Sequence, residues 1–289
     1  MKLAVILLFS SLMIFYTGCA STNKQKKRPK RPSDATMSFF DDEPKEAQDL
    51  VIEKLNKGEY KNDPKNIRTR SCAHIQYKNI SVLLDTSPDI KDQIRKNKIQ
   101  NVDSVIYTHE HADQTYGIFE LRPFFWKNKK KIDVYGQKRT INKLKKNFDF
   151  CFTPRHGYTP IMRANIVKNS FHIKKNKNII KINAFEVQHG LIKATGYLFN
   201  KIAYLSDCNN IDKKNIKYLE NLNYLIIDCL RFKKHPSHFN LSDVLILVKN
   251  LNPQKTILTN LHVDFDYKKL KSILPKNIIP AYDGLSFNF

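Results

Sequence analysis

Residues 107–117 read "YTHEHADQTYG", directly after the largely apolar run "VDSVI". Two imidazoles two positions apart, then a carboxylate two further on, make a claw suited to a metal ion. Such a loop belongs at the end of a strand, where a rigid sheet supports polar groups at the surface. The chain is therefore expected to build a sheet whose strand ends converge around this loop.

The rest of the sequence fits that demand. From about Ile67 onward, short β-branched runs alternate with helical stretches. Candidate strands are "CAHIQY", "ISVLLD", "SVIYT", "KIDVYG", "NAFEVQH", "TGYLF", "KIAYLSD", "NYLIIDCL" and "KTILTNL". Candidate helices are "SPDIKDQIRKN", "QTYGIFELRPFF", "QKRTINKLKKNF" and "LSDVLILVKNL". Thr86 or Ser87 before Pro88, and Ser242 with Asp243, read as helix starts. Strands come first as neighbours and later alternate with helices, which predicts an α/β chain of two sheets with helices packed outside. The stretch from about Asn147 to Asn178 reads as an irregular excursion, and no repeat of fixed period is present.

With 289 residues and 41% apolar content, one large domain or two small ones can be packed. The formal charge of +23 favours anionic partners, but lysines are scattered along the whole chain, so nucleic-acid binding is not expected as the main role. The start "MKLAVILLFSSLMIFYTGCAST" resembles a bacterial lipoprotein signal with Cys19 as the lipidated residue. Its apolar run is too short for a comfortable membrane span. The expectation is a lipoprotein anchored through Cys19 and facing the periplasm if the leader is cleaved, and a cytoplasmic protein otherwise. The rival reading makes "LMIFYTG" a first core strand. Residues 1–19 are thus a signal or a strand, 20–60 a charged linker, and 61–289 the folded domain. Cys72, Cys151, Cys208 and Cys229 lack metal-ligand spacing and read as buried small hydrophobes.

Five features follow in order: "THEHADQ", His189 in "EVQHG", Asp207 in "YLSD", His238 in "HPSHF", and "LTNLHVDFDY". Most fall at the C-terminal side of an expected strand. This order resembles the metallo-β-lactamase superfamily of metal-dependent hydrolases. More narrowly it looks like the branch containing phosphoribosyl 1,2-cyclic phosphate phosphodiesterase. The narrower likeness rests on "DPKNIRTRS", "LLDTSPDI", "YTHEHADQTYGIFELRP", "HPSHFNLSDVL" and "PAYDGL", from about Asp63 to the end. The glycine-rich first strand and loop of that branch are absent or replaced.

The resemblance implies an αββα sandwich with metals along one edge between the sheets. It implies His109, His111 and His189 as ligands of a first metal, Asp207 as a bridge, and Asp113 on a second metal. The family's next histidine falls at Gln114 and its last at Asn260, so two imidazoles are replaced by amides. His262 lies two residues beyond Asn260, on the same side of an extended strand, as a substitute. Three imidazoles and a carboxylate suit Zn, Fe or Mn, whereas the amide-substituted site is harder and weaker. One or two divalent ions are expected.

The chemistry expected is hydrolysis of a phosphodiester or cyclic phosphate by a metal-activated water. Asp113 orients that water or accepts its proton. His238 contacts the phosphate or protonates the leaving oxygen, as the resemblance implies. Arg68, Arg70 and Arg122 are candidate phosphate clamps, since a guanidinium fork matches phosphate oxygens. His74, His156 and His172 read as structural or exposed, and Asp264 and Asp266 as capping or solvating the turn that leads to the last helix. Two competing classes are a binding protein that keeps the fold without turnover, and an RNA-processing nuclease.

Overall fold

The computed structural model describes residues 3–8, 63–155 and 157–288. Cys19, the strand expected at "LMIFYTG", the charged linker before Asp63 and His156 lie outside them. In chain order the strands are β1 (Leu3–Leu8), β2 (Cys72–Tyr77), β3 (Ile80–Leu84), β4 (Ser104–Ile106), β5 (Ile132–Gly136), β6 (Met162–Ile166) and β7 (Ser170–Lys175). They continue as β8 (Asn178–His189), β9 (Ile192–Phe199), β10 (Ile202–Leu205), β11 (Tyr224–Asp228), β12 (Lys255–Thr259), β13 (Ile278–Pro280) and β14 (Leu285–Asn288). The helices are α1 (Ile90–Lys96), α2 (Ala112–Thr115), α3 (Arg122–Asn128), α4 (Lys138–Asn147), α5 (Asp149–Phe152), α6 (Leu241–Leu251) and α7 (Tyr267–Ile273).

Two mixed seven-stranded sheets result, ordered β14-β1-β2-β3-β4-β5-β6 and β13-β12-β11-β10-β9-β8-β7. Within each, a run of parallel strands sends its C-terminal ends in one direction: β3 to β6 in the first, β10 to β13 in the second. The faces that meet carry Ile75, Val82, Leu84, Ile182, Tyr197, Tyr204 and Ile257, all buried. The outer face of the first sheet packs Leu83, Val105 and Val134 against Ile90, Leu121, Phe124 and Leu144 of the helical layer. The outer face of the second packs Leu225, Ile227 and Leu258 against Val244, Val248 and Leu270. Strands buried on both faces read as continuous apolar runs rather than alternating ones, which is why "SVLL" and "YLII" carry so few polar residues. The layering is the αββα sandwich.

Several local expectations shift. The supposed excursion of residues 147–178 contains α5, β6 and β7. Strand β6 is mostly half-exposed, so "MRANI" lacks the apolar pattern that betrays a strand. The late helix begins after Asn240, whose side chain accepts from the Asp243 amide. Helix α1 begins after Asp89 rather than at Ser87. Asp266 does cap α7, accepting from the Lys269 amide. The four cysteines from Cys72 onward are buried and free. No helix among the described residues is long and apolar enough to cross a membrane.

Candidate metal centre

The loop after β4 delivers His109 and His111, and the end of β8 delivers His189. Asp207 follows β10, Asp228 ends β11, His238 precedes α6, and Asn260 follows β12. Side chains far apart in sequence therefore meet because parallel strands end at the same edge, between the two sheets.

The three imidazoles are mutually edge-on. Ring centroids lie 4.6 Å apart for His109–His111 and 5.0 Å apart for the two pairs with His189. Their ligand atoms all lie within 4.8 Å of one another, and the same holds for His189, Asp207 and His238. Asp207 Oδ2 is 3.8 Å from His109 Nε2 and 3.9 Å from His189 Nε2. These contacts are not ion pairs between full charges. Burial, followed by the repulsion of neighbouring imidazoles, pushes His109 well below the ordinary range, and burial and His238 bring His189 down to about 4. Burial lifts the Asp207 carboxyl to about 7. The cluster is thus a set of neutral rings with lone pairs to offer.

Outer partners fix the rings. Thr108 Oγ1 lies 3.0 Å from His109 Nδ1, and buried Asp85 accepts from both the Thr108 amide and hydroxyl at 2.8 Å. His189 Nδ1 sits 2.8 Å from the Ser237 carbonyl. A neutral imidazole that donates through Nδ1 presents Nε2 as a lone pair, the arrangement found around metal-ligating histidines. Asp85 holds φ at +65° and Asn260 at +61°, a left-handed backbone uncommon for residues with a Cβ. His189 is followed by Gly190 at φ +57°, where a Cβ would stand 2.8 Å from Ser237 Cβ.

The residues fit a metal ion on a direct observation. Buried His109 Nε2, Asp113 Oδ1 and Gln114 Oε1 have no hydrogen-bond partner among the described residues. Unpaired buried polar atoms of this kind are rare in folded proteins, and these belong to one metal-loop constellation. Gln114 spends its amide on both acids, donating to Asp207 Oδ1 at 3.2 Å and approaching Asp113 Oδ2 at 3.5 Å. Asn260 donates to Asp228 Oδ1 at 3.3 Å and accepts from Ser71 at 3.3 Å. Both amides act within hydrogen-bond networks where imidazoles were expected.

His238 joins the edge of the cluster, its ring 4.7 Å from that of His189. Its Nδ1 lies 2.7 Å from Asp228 Oδ2, which also accepts from the Cys208 amide at 2.9 Å. Burial lowers the imidazole and raises the carboxyl. His262 is placed outside both groups, with Nδ1 3.2 Å from Asp264. Of the arginines, Arg68 donates to the Phe265 carbonyl at 2.8 Å, and Arg70 is held through its backbone amide by Asp89. Arg122 stands over the Trp126 ring, 4.1 Å from its centroid.

Sequence reasoning missed Asp85, Thr108, Asp228 and Ser237. The two aspartates had a usable signal, a lone carboxylate ending an apolar strand in "LLD" and "LIID". Thr108 and Ser237 act through a hydroxyl and a carbonyl, and carry none.

The family model described as "Beta-lactamase superfamily domain" matches residues 81–260, most of the chain. The chain belongs to that family, and so to the metallo-β-lactamase superfamily of metal-dependent hydrolases. It is 29% identical to a structure titled as a new diphosphatase from the PhnP family, with a TM-score of 0.72 over 78% of this chain and 87% of that one. The Zn(2+)-bound PqqB of Methylobacterium extorquens shares the fold at 13% identity and a TM-score of 0.68, covering 83% of this chain and 93% of its own. A curated protein named octanoyltransferase, from Porphyromonas gingivalis, is 28% identical over 71% of this chain. The match spans only 41% of that protein's length.

Proposed function

We propose that this chain hydrolyses a phosphate ester, a phosphodiester or cyclic phosphate, at a centre built for one tightly held divalent ion of Zn, Mn or Fe. His109, His111, His189 and Asp207 would hold the ion. When bound there it supplies Lewis acidity, polarising the phosphoryl group and making water more acidic. Asp113, whose Oδ1 has no other partner among the described residues, orients the attacking water and takes its proton. Gln114 keeps the Asp113 and Asp207 carboxylates apart in fixed positions, which favours one ion over two.

The observation that carries the reading is the His238–Asp228 pair at the cluster's edge. Asp228 occupies one ring nitrogen and leaves the other for the reacting group. An alkoxide leaving a phosphorus centre needs a proton, and the negative charge of an arriving phosphate stabilises the protonated imidazole that delivers it. The likeness to a PhnP-family diphosphatase supports the same substrate class.

The test compares His238→Ala with the parent on two phosphodiesters, one with a nitrophenolate leaving group and one with a simple alkoxide, each with added Mn or Zn and after chelation. General-acid loss lowers kcat by about 10²–10⁴-fold for the alkoxide. The nitrophenolate, which leaves without help, is affected much less. Equal losses on both would remove the proton-donor role. Metal-independent binding of phosphodiesters without turnover by the parent would favour the non-catalytic reading to which the two amides point.

A further inference from the structure

A cavity of about 250 Å³ lies apart from the clustered histidines and acids. Phe119, Arg122, Trp126, Phe150, Gly157 and Tyr158 are among its walls, and none of the clustered histidines or acids is. Its size falls just under the usual range for small-molecule sites, roughly 300–1,000 Å³.

The walls come from two segments. Tyr116, Phe119, Arg122 and Trp126 recur every three or four residues along the helical turns that follow the metal loop, and so form one stripe. The stripe faces the segment from Phe148 to Ile161, with Tyr116 against Phe148 and Phe119 against Phe150. The far wall is a turn in which the Tyr158 amide donates to the Arg155 carbonyl at 2.7 Å, with Gly157 at φ +82°. Arg155 pins this turn to α5 through Asp149 at 2.9 Å.

Arg122 is the informative residue. Its guanidinium lies 4.1 Å from the Trp126 centroid, 5.4 Å from Phe119 and 5.7 Å from Tyr158. Among the described residues it has no carboxylate partner and makes no hydrogen bond, although acids pair with Arg139, Arg155 and Arg163 elsewhere. A guanidinium stacked on one face keeps its in-plane N–H groups for an oxyanion, and the surrounding rings strengthen that pairing by excluding water. Trp126 and Tyr158 are about half exposed, at 49% and 52%, so ring surface is left for a planar group.

We infer that this cavity is a binding site for a nucleoside monophosphate unit, its phosphate on Arg122 and its base against the Tyr158 and Phe150 rings. Aromatic side chains offer faces on which a base can stack, and the forked guanidinium adds the anion specificity. Because no member of the histidine cluster lines the cavity, the site lies beside the metal centre rather than in it. The inference rests on the cavity alone and is independent of the reaction proposed at the histidines.

Trp126 is the only tryptophan in the chain, so its fluorescence reports on this cavity directly. The full-length protein is titrated with adenosine 5′-monophosphate, ribose 5-phosphate and adenosine, with calorimetry in parallel. The nucleotide is expected to change Trp126 emission saturably, and each half-ligand to bind at least about tenfold more weakly. Arg122→Gln and Tyr158→Ala, each checked for an unchanged melting temperature, should both weaken nucleotide binding at least about tenfold. His109→Ala should leave it intact. No saturable binding at millimolar nucleotide, equal binding of ribose 5-phosphate, retention in Arg122→Gln, or loss in His109→Ala would each overturn the inference.

Discussion

Replacing His189 with alanine removes the ring that completes the trio with His109 and His111 from the second sheet, and its effect can be worked in advance. Losing a residue that merely supports a metal ligand costs about 10–100-fold in affinity, so losing a ligand should cost at least about 100-fold. At a metal concentration about 100 times the parent's dissociation constant, binding stabilises the folded chain by about 2.7 kcal/mol. In the variant the same concentration only matches the new constant, leaving about 0.4 kcal/mol. For a domain of this size each kcal/mol moves Tm by about 2–4 °C, so a metal-induced rise of about 5–11 °C shrinks to about 1–2 °C. The assay is a thermal melt of each protein with chelator and with added Mn or Zn. The measured quantity is the difference between the two melts. It cancels the separate penalty of leaving the Ser237 carbonyl without its 2.8 Å partner. His262→Ala is the control, because its ring is engaged by Asp264 outside both ligand groups, and it should keep the parent's metal shift. If His189→Ala keeps the full shift while His262→Ala loses it, the ligand assignment is wrong.

Three further outcomes follow from the same geometry. Asp85→Asn weakens the grip on Thr108 and thus on His109, lowering metal affinity by about 10–100-fold, as read by competition with a chelating dye. Gly190→Ala places a methyl 2.8 Å from Ser237 Cβ at a backbone angle that disfavours side chains, so stability falls by about 1–2 kcal/mol in urea unfolding and kcat falls with it. His74, buried between β2 and β3 beside Ser81 at 2.8 Å, has a pKa pushed by burial down to about 4, against 6.5 when unfolded. The unfolded chain therefore binds a proton that the fold refuses, so this contribution is complete above pH 6.5 and is lost as pH falls through 4. Between pH 7 and pH 5 the metal-free protein should lose about 2 kcal/mol through this residue, and His74→Gln should flatten that slope in urea melts.

How much was legible in advance depends on whether a feature is local. The strand at "ISVLLD" and the helix at "LSDVLILVKNL" are spelled by apolar periodicity and agree with β3 and α6 to within a residue. The histidines of "THEHADQ" are legible because strand and claw are contiguous, and His189 and Asp207 because each stands at or just past the end of a readable strand. Strands β6 and β7 were missed because a sheet edge buries little, leaving "MRANI" and "SFHIKK" without a clean alternation. His262 is placed outside the cluster for another reason. Two residues along an extended strand do share a face, but β12 ends at Thr259 and Asn260 turns at φ +61°. Beyond that turn the alternation no longer holds, and the ring emerges toward Asp264.

That turn also explains how amides can stand where the resemblance leads one to expect imidazoles. Asn is among the few side-chain-bearing residues that tolerate a left-handed backbone, so Asn260 reverses the chain while its amide crosses to Asp228 at 3.3 Å and lies 3.2 Å from His238 Nδ1. Gln114, one turn into α2, likewise spends its donor on Asp207. Each amide therefore holds the acid that an ion would otherwise have to hold. A second cation at this edge would meet carboxylates whose orientation these amides already fix. We propose on this ground a centre of one ion, with fixed hydrogen bonds at the place of the other.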